Sequence, residues 1–171
     1  VSATPARQSR IGELLGPSRW IDIRGSAEEK WSPEEGEVVL ELLGTLAAAQ
    51  HAPDLYIVTP FVVVQNRLRE LVPRSGVVRA WSENPRLWAQ ERIGTVHTVQ
   101  GREAEAVIFV LGAPEPGQAG ARSWAGGRPN LLNVAVSRAK ERLYVVGNRA
   151  LWRGAGCFSV LDQWLREVPS V

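Results

Sequence analysis

At 171 residues, with 44% hydrophobic and 22% charged side chains, the chain is long enough for one domain with a full core, too short for a comfortable pair of domains, and too apolar for a disordered segment. The formal net charge is only +2, yet Lys30 and Lys140 are the only lysines, so nearly every basic side chain is arginine. Arginine suits bidentate phosphate contacts, but a GC-rich coding sequence gives the same bias, so charge alone does not argue for nucleic acid.

In chain order, residues 1–18 carry Pro, Ser, Gly and Arg with little periodicity and read as a linker or N-terminal arm, with residues 19–171 as the domain. Trp20 to Arg24 alternates as a short strand does. Ser32, Pro33 and Glu35 have the layout of a helix start, with Ser32 as N-cap, Pro33 in the first turn and Glu35 completing a capping box. Val39, Leu42, Leu43 and Leu46 extend that helix to about Gln50. Leu55 to Val58 is a buried strand ending at Thr59-Pro60, and Val64, Leu68, Leu71 and Val72 follow at helical spacing. Val77 to Trp81 and Ile93 to His97 read as strands, and Ala106 to Leu111 is the strongest strand of all. Ala113 to Pro129, rich in Gly and Pro, reads as a mobile loop. Asn130 to Ala139 is a helix, Arg142 to Val146 a strand, and Phe158 to Val168 a final helix. Alternation of apolar strands with helices predicts one three-layer α/β domain with a mostly parallel sheet.

Cys157 stands alone, and His51 and His97 are far apart, which excludes an internal disulfide and gives no zinc or iron–sulfur spacing. No metal site is expected, and a reducing intracellular compartment such as the cytoplasm fits this usage. No apolar run approaches the length of a membrane span, and the first residues lack a signal-peptide layout. With Val1 first and no methionine anywhere, the expectation is a piece or processed product of a longer chain.

Ligands of such sheets gather outside the carboxyl ends of the strands, and three polar stretches are expected there. In Asn130 to Lys140 (NLLNVAVSRAK), each residue advances about 100° around a helix. Asn130, Asn133, Ser137 and Lys140 then share one arc, and Leu131, Leu132, Ala135, Val136 and Ala139 lie opposite. Arg138 falls on the border, where an arginine either reaches a neighbouring domain or anion, or is simply solvated. In Ile93 to Val110, a polar knot of Gln100, Gly101, Arg102 and Glu103 precedes the strong strand. Gly101 permits a tight turn or close ligand approach, and His97 has no visible acid partner for base catalysis. In Tyr56 to Phe61, Thr59 has two compatible uses, as a phosphate contact or as a helix cap.

Taken together, these stretches resemble superfamily 1 helicases, and among them the group of the nonsense-mediated-decay helicase. Ile57 to Phe61 (IVTPF) is similar to motif IV, Thr95 to Glu103 (TVHTVQGRE) to motif V, and Asn133 to Lys140 (NVAVSRAK) to motif VI, with Leu143 to Asn148 as the trailing strand. The likeness covers roughly Trp20 to Trp152. It implies the second RecA-like motor domain of an ATP-dependent DNA or RNA helicase. Arg138 would then be the finger on the γ-phosphate, with Gln100, Gly101 and Glu103 shaping the nucleotide corner. Thr59, Pro60, Thr95, His97 and Asn133 would lie along single-stranded DNA or RNA, gripped through its backbone.

The chain departs from the full family pattern in lacking a Gly-x-x-x-x-Gly-Lys-Ser/Thr loop and an acidic motif for magnesium. The resemblance therefore implies that ATP and Mg2+ are shared with a first RecA-like domain elsewhere in the parent chain, and that this part alone is inactive. His97 stands where several relatives carry an acid, and Ser137 where many have threonine. Arg122, Trp124 and Arg128 in the Gly-rich segment are candidates for charge and stacking contacts with nucleic acid, or belong to a plain connector. A non-catalytic RecA-like module that binds protein or nucleic acid is the alternative function.

Overall fold

Five apolar runs form strands in a computed structural model that describes residues 10–96, 98 and 102–167. They are β1 (Arg19–Asp22), β2 (Leu55–Thr59), β3 (Ile93–Thr95), β4 (Ala104–Val110) and β5 (Ala139–Gly147). They make one sheet in the order β1-β5-β4-β2-β3, and every neighbouring pair is parallel. Every residue of β2 is buried, and in β4 only Glu105 is not. A strand covered on both faces needs no polar alternation, which is why these runs read as continuous apolar stretches.

The helices are α1 (Arg10–Leu15), α2 (Pro33–Ala48), α3 (Val62–Ser75), α4 (Pro85–Arg92), α5 (Ala119–Gly126), α6 (Pro129–Arg138), α7 (Arg149–Trp152) and α8 (Phe158–Glu167). The chain reaches β2 from β1 through α2, passes from β2 to β3 through α3 and α4, and returns from β4 to β5 through α5 and α6. Parallel connections of this kind are right-handed as a rule, which puts helices on both faces of the sheet. This is the three-layer α/β architecture, with an all-parallel sheet, that is expected of a RecA-like domain.

Four expectations are corrected. Residues 10–15 of the supposed arm are a helix with Ile11 and Leu15 buried. Nearby, Ser18 Oγ accepts from Leu143 N–H at 2.9 Å, and Tyr144 donates its hydroxyl to Gly16 O at 2.6 Å. Val77–Ala80 is a 3-10 turn, because Gly76 ends α3 in the left-handed region (φ 78°) and the chain turns again at once. Glu35 does not cap α2; it turns inward, and Ser32 instead donates its hydroxyl to Glu34 at 3.1 Å. The Gly-rich segment is built structure: a 3-10 turn at Pro116–Gln118, capped reciprocally by Glu115 and Gln118, leads into α5.

Arg122 explains that order. It is only 4% exposed and donates to the carbonyls of Ala113 (2.8 Å), Glu115 (2.6 Å) and Pro116 (3.2 Å). The end of α5 meets the turn before α8, where Cys157 N–H donates to Gly126 O at 3.0 Å. A Cβ at Gly126 would lie 2.2 Å from Ala155 O, a backbone atom that cannot move aside, whereas one at Gly44 in α2 would meet nothing within 4 Å. Gly126→Ala should therefore lower the thermal midpoint clearly. Gly44→Ala should raise stability by about 0.5–1 kcal/mol through helix propensity alone. Paired melts by circular dichroism check both, and equal shifts would deny the close approach.

Candidate functional site

The three polar stretches do not share one edge of the sheet, contrary to expectation. Thr59 pairs with Thr95 at the carboxyl ends of β2 and β3, while Ala104 pairs with Ala139 at the amino ends of β4 and β5. Thr59, Pro60 and Thr95 thus mark one edge, and Glu103 and Arg138 mark the opposite one. The sequence hid this because the rule about carboxyl ends concerns the residue after a strand, whereas Glu103 and Arg138 each stand just before one.

Helix α6 joins the edges. Its ten residues span about 15 Å, from the carboxyl side, where Pro129 and Asn130 line a cleft with Val96, to Arg138 beside β5. Leu131, Leu132 and Ala135 are buried against the sheet, and Asn133 and Ser137 face outward. Ser137 donates its hydroxyl to Val134 O at 3.1 Å.

At the amino edge, Arg138 is partly buried. Its guanidinium donates to Val134 O (3.4 Å) and Arg102 O (3.2 Å), with no carboxylate partner among the described residues. Two long bonds to carbonyls restrain the fork without neutralising it. Glu103 lies 3.7 Å from Lys140, both side chains being more than half exposed. An ion pair so wetted is weak, so the Glu103 carboxylate is free to exchange partners. A cation and an acid, each loosely held, suit an anion and a hydroxyl supplied from outside. Among the described residues no group of three His, Cys, Asp or Glu could hold a metal ion. Gln100 and Gly101, expected at this corner, and His97, expected along the strand, lie outside the described residues.

At the carboxyl edge, Thr59 has no exposed surface and its hydroxyl accepts from Phe61 N–H at 3.3 Å. Pro60 is likewise buried. These two shape the corner that precedes α3, whose N-cap is Phe61 with no side-chain cap bond, so the buried Thr59 hydroxyl braces this turn and does not cap the helix. Thr95 is 8% exposed; its N–H donates to Gln65 Oε1 (3.0 Å), and its carbonyl accepts from the Thr98 hydroxyl (2.8 Å). Thr98 is the exposed hydroxyl of this turn.

Two open clefts flank the corner. One, of about 760 Å³, is lined by Glu29, Lys30, Pro60, Phe61, Val62 and Trp124 among others. The second, of about 520 Å³, is lined by Val96, Arg128, Asn130, Leu131 and Val134, again with Trp124. Trp124 is 46% exposed, stacks on Phe61 with ring centroids 6.2 Å apart, and has the Arg128 guanidinium 4.5 Å from its centroid. Lys30 lies 5.2 Å from the Phe61 ring. Sequence reasoning flagged Trp124 and Arg128 but not their partners Phe61 and Lys30, and it missed the pairing of Glu103 with Lys140. The four-residue spacing of Trp124 and Arg128 was a signal, obscured by the surrounding glycines.

A buried carboxyl stands behind this edge. Glu35 Oε1 accepts from Gly112 N–H at 2.9 Å, just past β4, while Oε2 has no partner among the described residues. Burial pushes its pKa up to about 8; the Gly112 bond opposes this and the Glu34 charge adds to it.

The family model for an AAA domain, AAA_12, matches residues 4–150. The chain is 29% identical over 158 residues to the DNA polymerase alpha-associated DNA helicase A of Schizosaccharomyces pombe, covering 91% of this chain and 21% of that protein. It is 26% identical over 160 residues to the uncharacterized ATP-dependent helicase MJ0104 of Methanocaldococcus jannaschii, covering 89% and 21%. It thus spans about a fifth of the length of these curated relatives. The C-terminal domain of a possible DNA helicase from Lactobacillus plantarum superposes with a TM-score of 0.48 at 13% identity, over 86% of this chain and 88% of that one. No helix among the described residues is long and apolar enough to cross a membrane.

Proposed function

The chain belongs to the AAA_12 family of AAA domains, and from that membership and the two-edged geometry we propose that it is the second motor domain of an ATP-dependent superfamily 1 helicase. Among the described residues the domain includes the helix at residues 10–15 as well as the part from residue 19 onward. Its amino edge supplies half of an ATP site, and its carboxyl edge supplies half of a track for single-stranded DNA or RNA. The observation that carries the reading is Arg138: a guanidinium at the exposed edge, bound among the described residues only to two carbonyls, at the end of a helix that reaches the other edge. The likeness to motifs V and VI, and to the nonsense-mediated-decay group, gives the same assignment.

In this reading Arg138 approaches the γ-phosphate of ATP across a domain cleft, where a fixed positive fork stabilises charge that develops as the phosphoryl group leaves. Glu103 releases Lys140 and accepts from a ribose hydroxyl, with Gln100 and Gly101 closing that corner. The phosphate-binding loop and magnesium ligands belong to the first RecA-like domain, because this sequence holds no such loop. Thr59 and Pro60 act by holding the corner, and Thr95, His97 and Asn133 lie nearer the strand. Since α6 carries Arg138 at one end and borders the strand edge at the other, domain closure on ATP shifts both together. A reducing cytoplasmic setting accords with the lone Cys157.

The test is ATP hydrolysis by the full-length parent with and without single-stranded DNA and RNA, alongside the isolated chain. Strand-stimulated turnover in the parent and none in the chain is expected. Turnover by the chain alone would overturn the half-site, and a parent that neither hydrolyses ATP nor responds to strands would overturn the motor.

A further inference from the structure

The carboxyl edge holds an aromatic assembly that the ATP half-site does not use. Trp124, Phe61, Trp152, Phe158 and Phe109 form a continuous ladder, with successive ring centroids 4.7–6.2 Å apart. Phe109 and Phe158 are wholly buried, and Trp152 is fixed by its indole N–H donating to Gly112 O at 2.8 Å. The ladder surfaces only at Trp124, which is 46% exposed. Trp124 thus presents a flat ring that lines two open clefts and is backed by the stack behind it.

The chemistry around the ring selects that partner. Of the two clefts that share Trp124, the one beside Phe61 is lined by both Glu29 and Lys30. Among the described residues the other has Arg128 as its single charged lining residue, with Asn130 and the apolar Val96, Leu131 and Val134. A flat ring, one cation lying 4.5 Å from its centroid, and one amide beside them match a nucleobase with its phosphate. They do not match an apolar helix, which would leave Arg128 desolvated and unpaired. Arg122 holds the platform from below by its three bonds to backbone carbonyls, and spends its charge there.

We propose that Trp124 and Arg128 form a stacking step for one base of a single-stranded nucleic acid, seated in the cleft between Trp124 and the start of α6. The base lies on the indole, and Arg128 turns from the ring to the adjoining phosphate. This rests on the helicase reading and deepens it, because it converts a backbone-only track into one that also registers bases. Asn130, at the start of α6, then places the base at the strand end of the helix that carries Arg138.

The test is equilibrium anisotropy with the full-length parent, using an oligothymidine and an abasic oligodeoxynucleotide of equal length. Wild type should bind the base-bearing strand more tightly. Trp124→Ala should weaken oligothymidine binding by roughly 5- to 100-fold while leaving abasic binding unchanged, and Trp124→Phe should restore most of the loss. Unchanged abasic binding also shows that the variant is folded. An equal loss on both strands, or no loss on either, overturns the stacking step while the helicase reading stands. A wild-type parent that binds neither strand overturns both.

Discussion

Arg138→Ala in the full-length parent should reduce strand-stimulated ATP turnover by about 10³-fold or more, with nucleotide affinity largely kept. The size follows from the role: an arginine that meets charge present only in the transition state acts on rate and little on ground-state binding. The fold should tolerate the change, because among the described residues the side chain makes only the two bonds to Val134 O and Arg102 O at the edge. Arg138→Lys keeps the charge but loses the planar fork, and it should recover only a small part of the rate. Turnover and nucleotide binding measured on the same preparations separate the roles. A rate within a factor of a few of wild type would remove Arg138 from the chemistry and favour a RecA-like binding module. A parallel fall in binding and rate would make it a ground-state contact.

The geometry gives that prediction a mechanical side. Motif V leaves the carboxyl edge at Thr95 and reaches the amino edge at Glu103, and α6 makes the same crossing from Pro129 to Arg138. At the carboxyl side Val96, next to Thr95, shares a cleft with Leu131 and Val134 of α6. In the proposed motor, a shift at one end of α6 is carried along the helix to the other.

The sheet was legible in the sequence because fully buried strands have only one way to be written. Leu55 to Val58 and Ala106 to Leu111 are unbroken apolar runs, and their burial in β2 and β4 follows. Helix α6 was equally plain, since its two faces sort by side-chain type. Val77 to Ala80 misled because branched residues carry strand propensity while their pairing depends on a neighbour, and β3 already holds that side of β2. The order in residues 113–129 was hidden because it comes from Arg122 bonding to carbonyls, a side-chain act that glycine and proline content does not report. The split of the site between two edges was invisible for a related reason. Sequence shows which residues stand beside a strand, but only strand direction and order decide which residues meet.

Glu35→Gln should leave the protein with a flatter dependence of stability on pH. In the folded chain the carboxyl is buried, with Oε2 unpartnered, and its pKa is pushed up to about 8 from an ordinary value of 4.5. The folded state therefore keeps a proton that the unfolded chain has released. Wherever the folded state binds more protons, stability falls as pH rises. This contribution is complete below about pH 4.5 and is lost by the time pH passes about 8, a difference of a few kcal/mol across the window. Glutamine keeps an oxygen for Gly112 N–H and carries no charge to desolvate, so the variant lacks this slope. Glu34 and every other titrating group remain in both proteins, and their contributions cancel in the comparison. Urea midpoints at acidic, neutral and alkaline pH should show the variant gaining on wild type steadily toward alkali and levelling above about pH 8. Parallel curves would mean that the carboxylate is already ionised in the fold. The same loss should loosen the turn after β4 first, since Gly112 donates its N–H to Glu35 and accepts the Trp152 indole N–H at its carbonyl. Above pH 8 the wild-type aromatic ladder, and the Trp124 platform at its end, should then exchange amide hydrogens faster than in the variant.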